Sequence, residues 1–212
     1  MMTDLILVLV VLTNLKLLGS SRLGSSIRVV AAQGVMLGLL PILVHVHELS
    51  LHFAALAAGT VALKGVVFPW LLFRALREAE VTREVEPYVG YITSILIGLA
   101  ALATSFWLGG RLPVSTGEPA SLLVPSALFS IFVGLFLIVA RKRAVNQVLG
   151  FLVMENGIYT FGVGVVAELP FLVELGVLLD AFVAVFVMGI AIYHINREFD
   201  HIEVNRLDQL KG

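Results

Sequence analysis

The chain has 212 residues, of which 59% are hydrophobic and only 14% charged, with a formal net charge of −1. Its mean hydropathy is +1.01. A soluble domain of this size needs more charge to cover its surface, so the composition points into the bilayer. Cysteine is absent, which excludes disulfides and thiolate ligation of iron–sulfur, zinc or nickel–iron centres by this polypeptide.

In chain order, about seven apolar runs have the length a helix needs to cross a ~30 Å hydrocarbon core. They fall near 3–18, 29–46, 51–76, 88–108, 122–140, 145–167 and 171–195. The start, Met1-Met2-Thr3-Asp4, lacks the basic region and small-residue cleavage site of a secretory signal, so the first run is expected to stay as a helix. That run is short and ends with Asn14 and Lys16, whose long stem can snorkel to the interface. If it does not span, the other runs keep their places and directions. Polar connectors with turn chemistry separate the runs: 20–26, the mixed-charge stretch 74–86 ahead of Pro87, 113–119, the basic stop Arg141-Lys142-Arg143, and Glu168-Leu169-Pro170. The fold class expected is an all-α integral membrane protein. Its parts are a four-helix membrane part over 1–120, a three-helix part over 121–196 and a polar tail over 197–212.

Alternating spans put Arg22, Arg28, Arg74, Arg77, Arg83, Arg141, Lys142, Arg143, Arg197, Arg206 and Lys211 on one side, and Arg111 on the other. The positive-inside rule then places the amino terminus outside and the carboxyl terminus in the cytoplasm.

Ionisable residues inside apolar spans cost about 2.5–3.5 kcal/mol each to insert, which makes them functional candidates. Lys64, Glu155 and Asp180 are the residues that qualify. Counted from the outer ends of their spans, Lys64 and Glu155 lie roughly 18 Å deep and Asp180 roughly 14 Å deep. Charges at one level form a lateral row if their helices face each other, as a proton relay requires. Desolvation favours a neutral carboxyl and a neighbouring ammonium favours a charged one; which effect wins is not legible in the residues. The alternative is a neutralising Lys–acid pair that locks helices together, with the remaining carboxyl kept protonated.

The surroundings of these residues bear on both readings. Pro69 cannot donate to the carbonyl of Gly65, so a kink is expected beside Lys64, where a freed carbonyl can hold water or bind the amine; an ordinary packing kink is the other possibility. Asn156 adjoins Glu155, and Tyr159, one turn on, shares its face and can extend a polar path. Gly157, Gly162 and Gly164 permit close helix approach. His45, His47 and His52, with Glu48, have a spacing that can hold a metal but read better as a solvated interfacial loop, and His194 and His201 read as interface residues. No metal ligand set is expected within the spans.

The segment Val148-Leu149-Gly150-Phe151-Leu152-Val153-Met154-Glu155-Asn156-Gly157, followed by Glu174-Leu175-Gly176-Val177-Leu178-Leu179-Asp180, resembles component E of hydrogenase-4, the HyfE family. The likeness in length and hydropathy runs along the whole chain, with its specific motifs in the last three spans. Those spans also look like the small three-helix subunit of complex I and of Mrp-type antiporters, the NuoK/MrpC type. Gly150 and Asn156 match that pattern, but Leu152 stands where the family has its glutamate. Glu155, three residues on, projects from nearly the same face about 4.5 Å along the axis, and Asp180 would stand for the second family carboxyl.

The resemblance implies a non-catalytic membrane subunit of an energy-converting hydrogenase or formate hydrogenlyase-like complex. Nickel–iron and iron–sulfur centres would sit in partner subunits, and antiporter-like membrane subunits would be neighbours. It further implies a prokaryotic cytoplasmic membrane and a part in proton or sodium translocation for Glu155, Asp180 and Lys64, supported by Asn156, Tyr159 and Pro69. Two other readings stand beside it. A stand-alone secondary transporter is expected to show inverted repeats, and no convincing repeat is visible. A structural scaffold would use the buried charges as specificity devices.

Overall fold

The computed structural model describes residues 2–44, 58–78, 87–112 and 122–165, together with residue 189. Among the described residues the regular elements are helices. α1 is Met2–Leu18 and α2 is Leu23–Val44. α3 covers 58–78, with a π-helical turn at Leu63–Val67 leading into an α-helical part at Phe68–Glu78. α4 is Tyr91–Gly109, α5 is Leu123–Ala140 and α6 is Ala144–Val165. Apart from residue 189, the expected run at 171–195 lies outside the described residues, as do Asp180, the histidines and the polar tail.

Local chemistry explains where these helices begin and end. α1 carries Asp4 in its first turn and Lys16 in its last, each complementing the helix dipole, and it stops at Gly19-Ser20. α4 starts after Gly90, whose carbonyl receives both the Ser94 N–H and its hydroxyl, each at 2.9 Å. α5 tolerates Pro125 because it sits in the first turn, where its missing N–H leaves no helix bond unmade. α5 ends where Arg141 turns extended, with φ −111° and ψ 138°.

Among the described residues, four stretches are long and apolar enough to cross a bilayer: Leu23–Leu40, Ala58–Arg77, Tyr91–Gly109 and Leu123–Ala140. Of these four, α5 is the most buried, with 61% of its apolar window buried, whereas α4 buries only 17%. Its outward side chains Ile92, Leu96 and Phe106 are exposed apolar groups, suited to lipid or to a neighbouring apolar surface. α5 and α6 form the most extensive helix pair. Glycines make it possible: a Cβ at Gly150 would come within 2.8 Å of the Gly134 carbonyl oxygen, and one at Gly157 within 2.7 Å of the Ile131 nitrogen. Backbone lies against backbone, the packing mode of helices that gain little from hydrophobic burial in lipid.

Arg141, which the sequence shows only as part of a three-residue basic stop, is buried, at 1% exposed. Its guanidinium donates to the Leu18 carbonyl at 2.7 Å and to the Val89 carbonyl at 3.3 Å, and lies 4.7 Å from the Tyr91 ring centre. A cation at the carboxyl end of α1 takes up carbonyls that have no partner within the helix. Arg141 therefore fastens α1, the start of α4 and the α5–α6 turn together. Lys142 and Arg143, by contrast, are exposed.

Candidate functional site

Lys64 and Glu155 meet in the bundle interior. Lys64 Nζ lies 2.5 Å from Glu155 Oε1, with side chains 5% and 1% exposed. The same ammonium donates to Asn156 Oδ1 at 3.1 Å and sits 5.5 Å from the centre of the Tyr159 ring. A carboxylate, an amide oxygen and an aromatic face thus surround one cation. Among the described residues the carboxyl partner of Lys64 is Glu155; Asp180, the other carboxyl that spacing leaves open, lies outside them.

Backbone features on both sides bring these groups together. Lys64 lies within the π turn, where the Phe68 N–H reaches the Leu63 carbonyl. One extra residue in a turn rotates the later part of the helix by about 100° relative to a plain α-helix. Pro69 comes directly after, half-buried. Having no N–H, it can serve neither the α nor the π register, so a local change of register costs less there. Where the sequence suggests a kink beside Lys64, the residues before Pro69 form a π turn that includes the lysine. On the facing helix, Gly34 makes room: a Cβ there would lie 2.5 Å from the Lys64 Cβ. Any larger residue at 34 would push α3 away from α2.

Glu155 comes from α6, held against α5 by Gly157 two residues on. Its second oxygen, Oε2, is buried with no hydrogen-bond partner among the described residues. The two ends of the ion pair are thus unequally satisfied. A proton added at Oε2 would break no hydrogen bond that the described residues make.

Beside this pair runs a neutral polar cluster that the charge-based reading missed. Gln33 Nε2 donates to Thr13 Oγ1 and to Asn14 Oδ1, both at 2.8 Å. Asn14 Nδ2 donates to Ser130 Oγ at 2.8 Å, and that hydroxyl donates to the Ser126 carbonyl at 2.9 Å. The cluster joins α1, α2 and α5. Its signal in the sequence is the lone amide Gln33 amid apolar residues, and Asn14, read as an end-of-span residue, is fully buried. Among the described residues no group of histidine, cysteine and acidic side chains has the arrangement of a metal site.

Comparison with known proteins places this architecture. Residues 122–212 match the model of NADH-ubiquinone/plastoquinone oxidoreductase chain 4L. The chain is 32% identical to the uncharacterized protein Rv0085 of Mycobacterium tuberculosis (strain ATCC 25618 / H37Rv) over 204 residues, covering 95% of this chain and 92% of that one. It is 36% identical over 102 residues to hydrogenase-4 component E of Escherichia coli (strain K12) and, to the same extent, of Shigella flexneri. That match covers 48% of this chain and 46% of each relative, so the aligned region spans under half the length of those two proteins. No solved structure matches the chain. The chain belongs to one family with Rv0085; about half of it is related to hydrogenase-4 component E, and its carboxyl-terminal portion to NADH-ubiquinone/plastoquinone oxidoreductase chain 4L.

Proposed function

We propose that the chain is a non-catalytic membrane subunit of a complex I-related, hydrogenase-type assembly, and that Glu155 exchanges a proton during coupled ion movement. The observation that carries the reading is the buried Lys64–Glu155 pair, whose Glu155 Oε2 has no partner among the described residues. A pair serving only as a lock is expected to have both carboxylate oxygens satisfied. A relay needs an oxygen that can gain and lose a proton without dismantling its surroundings. Lys64 would be the fixed charged partner beside the exchanging carboxyl.

Several finer points belong to the same proposal. The chain crosses the membrane about seven times with its amino terminus outside. Residues 1–120 and 121–196 form separate parts of the bundle, and 197–212 forms a cytoplasmic tail. Asp180, outside the described residues, supplies a second carboxyl on the lateral path. Asn156 and Tyr159 hold the lysine, and the Pro69 π turn gives its helix freedom to change register. Nickel–iron and iron–sulfur centres belong to partner subunits, since this chain has no cysteine to ligate them. The antiporter-like subunits of a prokaryotic cytoplasmic membrane complex are the expected neighbours, and the ion is a proton or sodium.

The test is Glu155→Gln in the assembled complex. Inverted membrane vesicles are expected to keep substrate-driven electron transfer and subunit composition but lose the accompanying ion gradient. A full gradient in that variant would overturn the assignment of Glu155. Purification of the wild-type chain alone as a folded, active carrier would overturn the subunit reading itself.

A further inference from the structure

The end of α1, the loop after it and the first turns of α2 surround an open cleft of about 810 Å³, into which Lys16, Arg22 and Arg28 all face. The three residues are exposed. Arg28 Nε donates to the Gly24 carbonyl at 3.2 Å, which leaves the rest of its guanidinium fork available. None of the three is ion-paired among the described residues. Val29 and Leu76 form an apolar wall, and Ser25 adds a hydroxyl at the rim.

The position of the cleft narrows what it takes. It lies where two apolar helices end, which is the height of the bilayer headgroups rather than of the hydrocarbon core. Clustered Lys and Arg at that height attract anionic lipid, each contributing roughly a fivefold gain in affinity near the surface. Guanidinium forks also match the paired oxygens of a phosphate. A free phosphate ion would satisfy the cations but leave the wall of Val29 and Leu76 wet, and it would occupy only a small part of the volume. A phospholipid covers both.

We infer that this cleft binds the headgroup phosphate of an anionic glycerophospholipid through Lys16, Arg22 and Arg28, with the upper part of an acyl chain lying along Val29 and Leu76. The site is separate from the Lys64–Glu155 pair and does not depend on the ion-coupling role of that pair.

The full chain, purified in mild detergent, is titrated with phosphatidylglycerol, phosphatidylcholine or inorganic phosphate, and bound species are counted by native mass spectrometry. Phosphatidylglycerol is expected to be retained in preference to phosphatidylcholine. Arg22→Gln or Arg28→Gln should weaken it about fivefold, and the triple variant with Lys16→Gln on the order of a hundredfold. Raised salt should weaken the wild type and barely affect the triple variant. If the triple variant does not fold, the single variants and the charge-preserving pair Arg22→Lys, Arg28→Lys are compared instead, and the charge-preserving pair should retain most of the binding. Equal retention by wild type and charge-removed variants, or equal retention of phosphatidylcholine, would overturn the inference. So would full displacement of the lipid by inorganic phosphate at equal concentration. Loss of the lipid from the intact complex, with a partner's acidic segment crosslinking to Arg22, would overturn it in favour of a protein occupant.

Discussion

The neutral cluster of Thr13, Asn14, Gln33 and Ser130 and the charged cluster of Lys64, Glu155 and Asn156 meet α2 at consecutive residues. Gln33 joins the first, and its neighbour Gly34 admits the lysine of the second. Both are buried, both link three or more side chains, and each leaves one oxygen without a partner among the described residues, Gln33 Oε1 and Glu155 Oε2. They differ in what a proton can do to them. The donors of the neutral cluster lead from amide to hydroxyl to backbone carbonyl, and nothing in it titrates near neutral pH. Such a cluster fixes how α1, α2 and α5 sit against one another. In the charged cluster one protonation event changes the net charge of a desolvated pair, and the energy of every contact around it changes too. One interior therefore holds a polar set that a proton does not alter beside one that, in the function proposed above, changes state.

The largest expected effect separates them most sharply. Glu155→Leu or Lys64→Met alone strands a buried charge and should destabilise the fold by about 3–5 kcal/mol. The double variant Lys64→Met, Glu155→Leu should recover most of that stability, measured by denaturant unfolding in detergent, while remaining inactive in coupled ion movement. A double variant that still builds an ion gradient would reduce the charged cluster to the same static role as the neutral one.

Next in size is the glycine that sets the depth of Glu155. Gly157→Val places a side chain against the Ile131 nitrogen and the Ala127 carbonyl oxygen, each under 3 Å from a Cβ. Overpacking of this kind costs about 1–3 kcal/mol. It should also weaken coupling, because α6 must back away from α5 and carry Glu155 with it. Stability and coupling assays on the one variant check both halves.

Asn14→Leu should cost roughly 0.6–1.7 kcal/mol, the range for interhelical hydrogen bonds in membranes, and should leave coupled ion movement intact. Loss of coupling with a folded bundle would show that the neutral cluster takes part in the path. Smallest is Tyr159→Phe, which keeps the ring face toward Lys64 and should change stability by under ~0.5 kcal/mol. A large loss of coupling there would assign the phenol hydroxyl a place in the relay.

Much of this arrangement can be read from residues alone, for identifiable reasons. Charges cost enough in an apolar run that Lys64 and Glu155 stand out without any structure. Turn chemistry places some helix ends closely: the first run is read as ending at residue 18 ahead of the connector at 20–26, and α1 ends at Leu18. Other features depend on tertiary contact. The pairing of Lys64 with Glu155 arises from how α3 crosses α2 and α6, which Gly34 permits and no spacing rule encodes. The π turn leaves only Pro69 as its sign, and a proline predicts a disturbance without its form. Gln33 and Asn14 carry no charge, so a search for charges passes over them. Arg141 has the look of a topology signal because its neighbours Lys142 and Arg143 are one. Its burial comes from the carbonyls of Leu18 and Val89, which are distant in sequence.

In the proposed function Glu155 changes protonation state while the neighbouring amides do not. Infrared difference spectroscopy of the assembled complex, recorded between resting and turnover conditions, reads that change directly through the carboxylic acid C=O stretch. A carboxyl band that appears or vanishes on turnover, is absent in Glu155→Gln and persists in Asn14→Leu is the predicted result. A difference spectrum that is unchanged by Glu155→Gln would contradict the account.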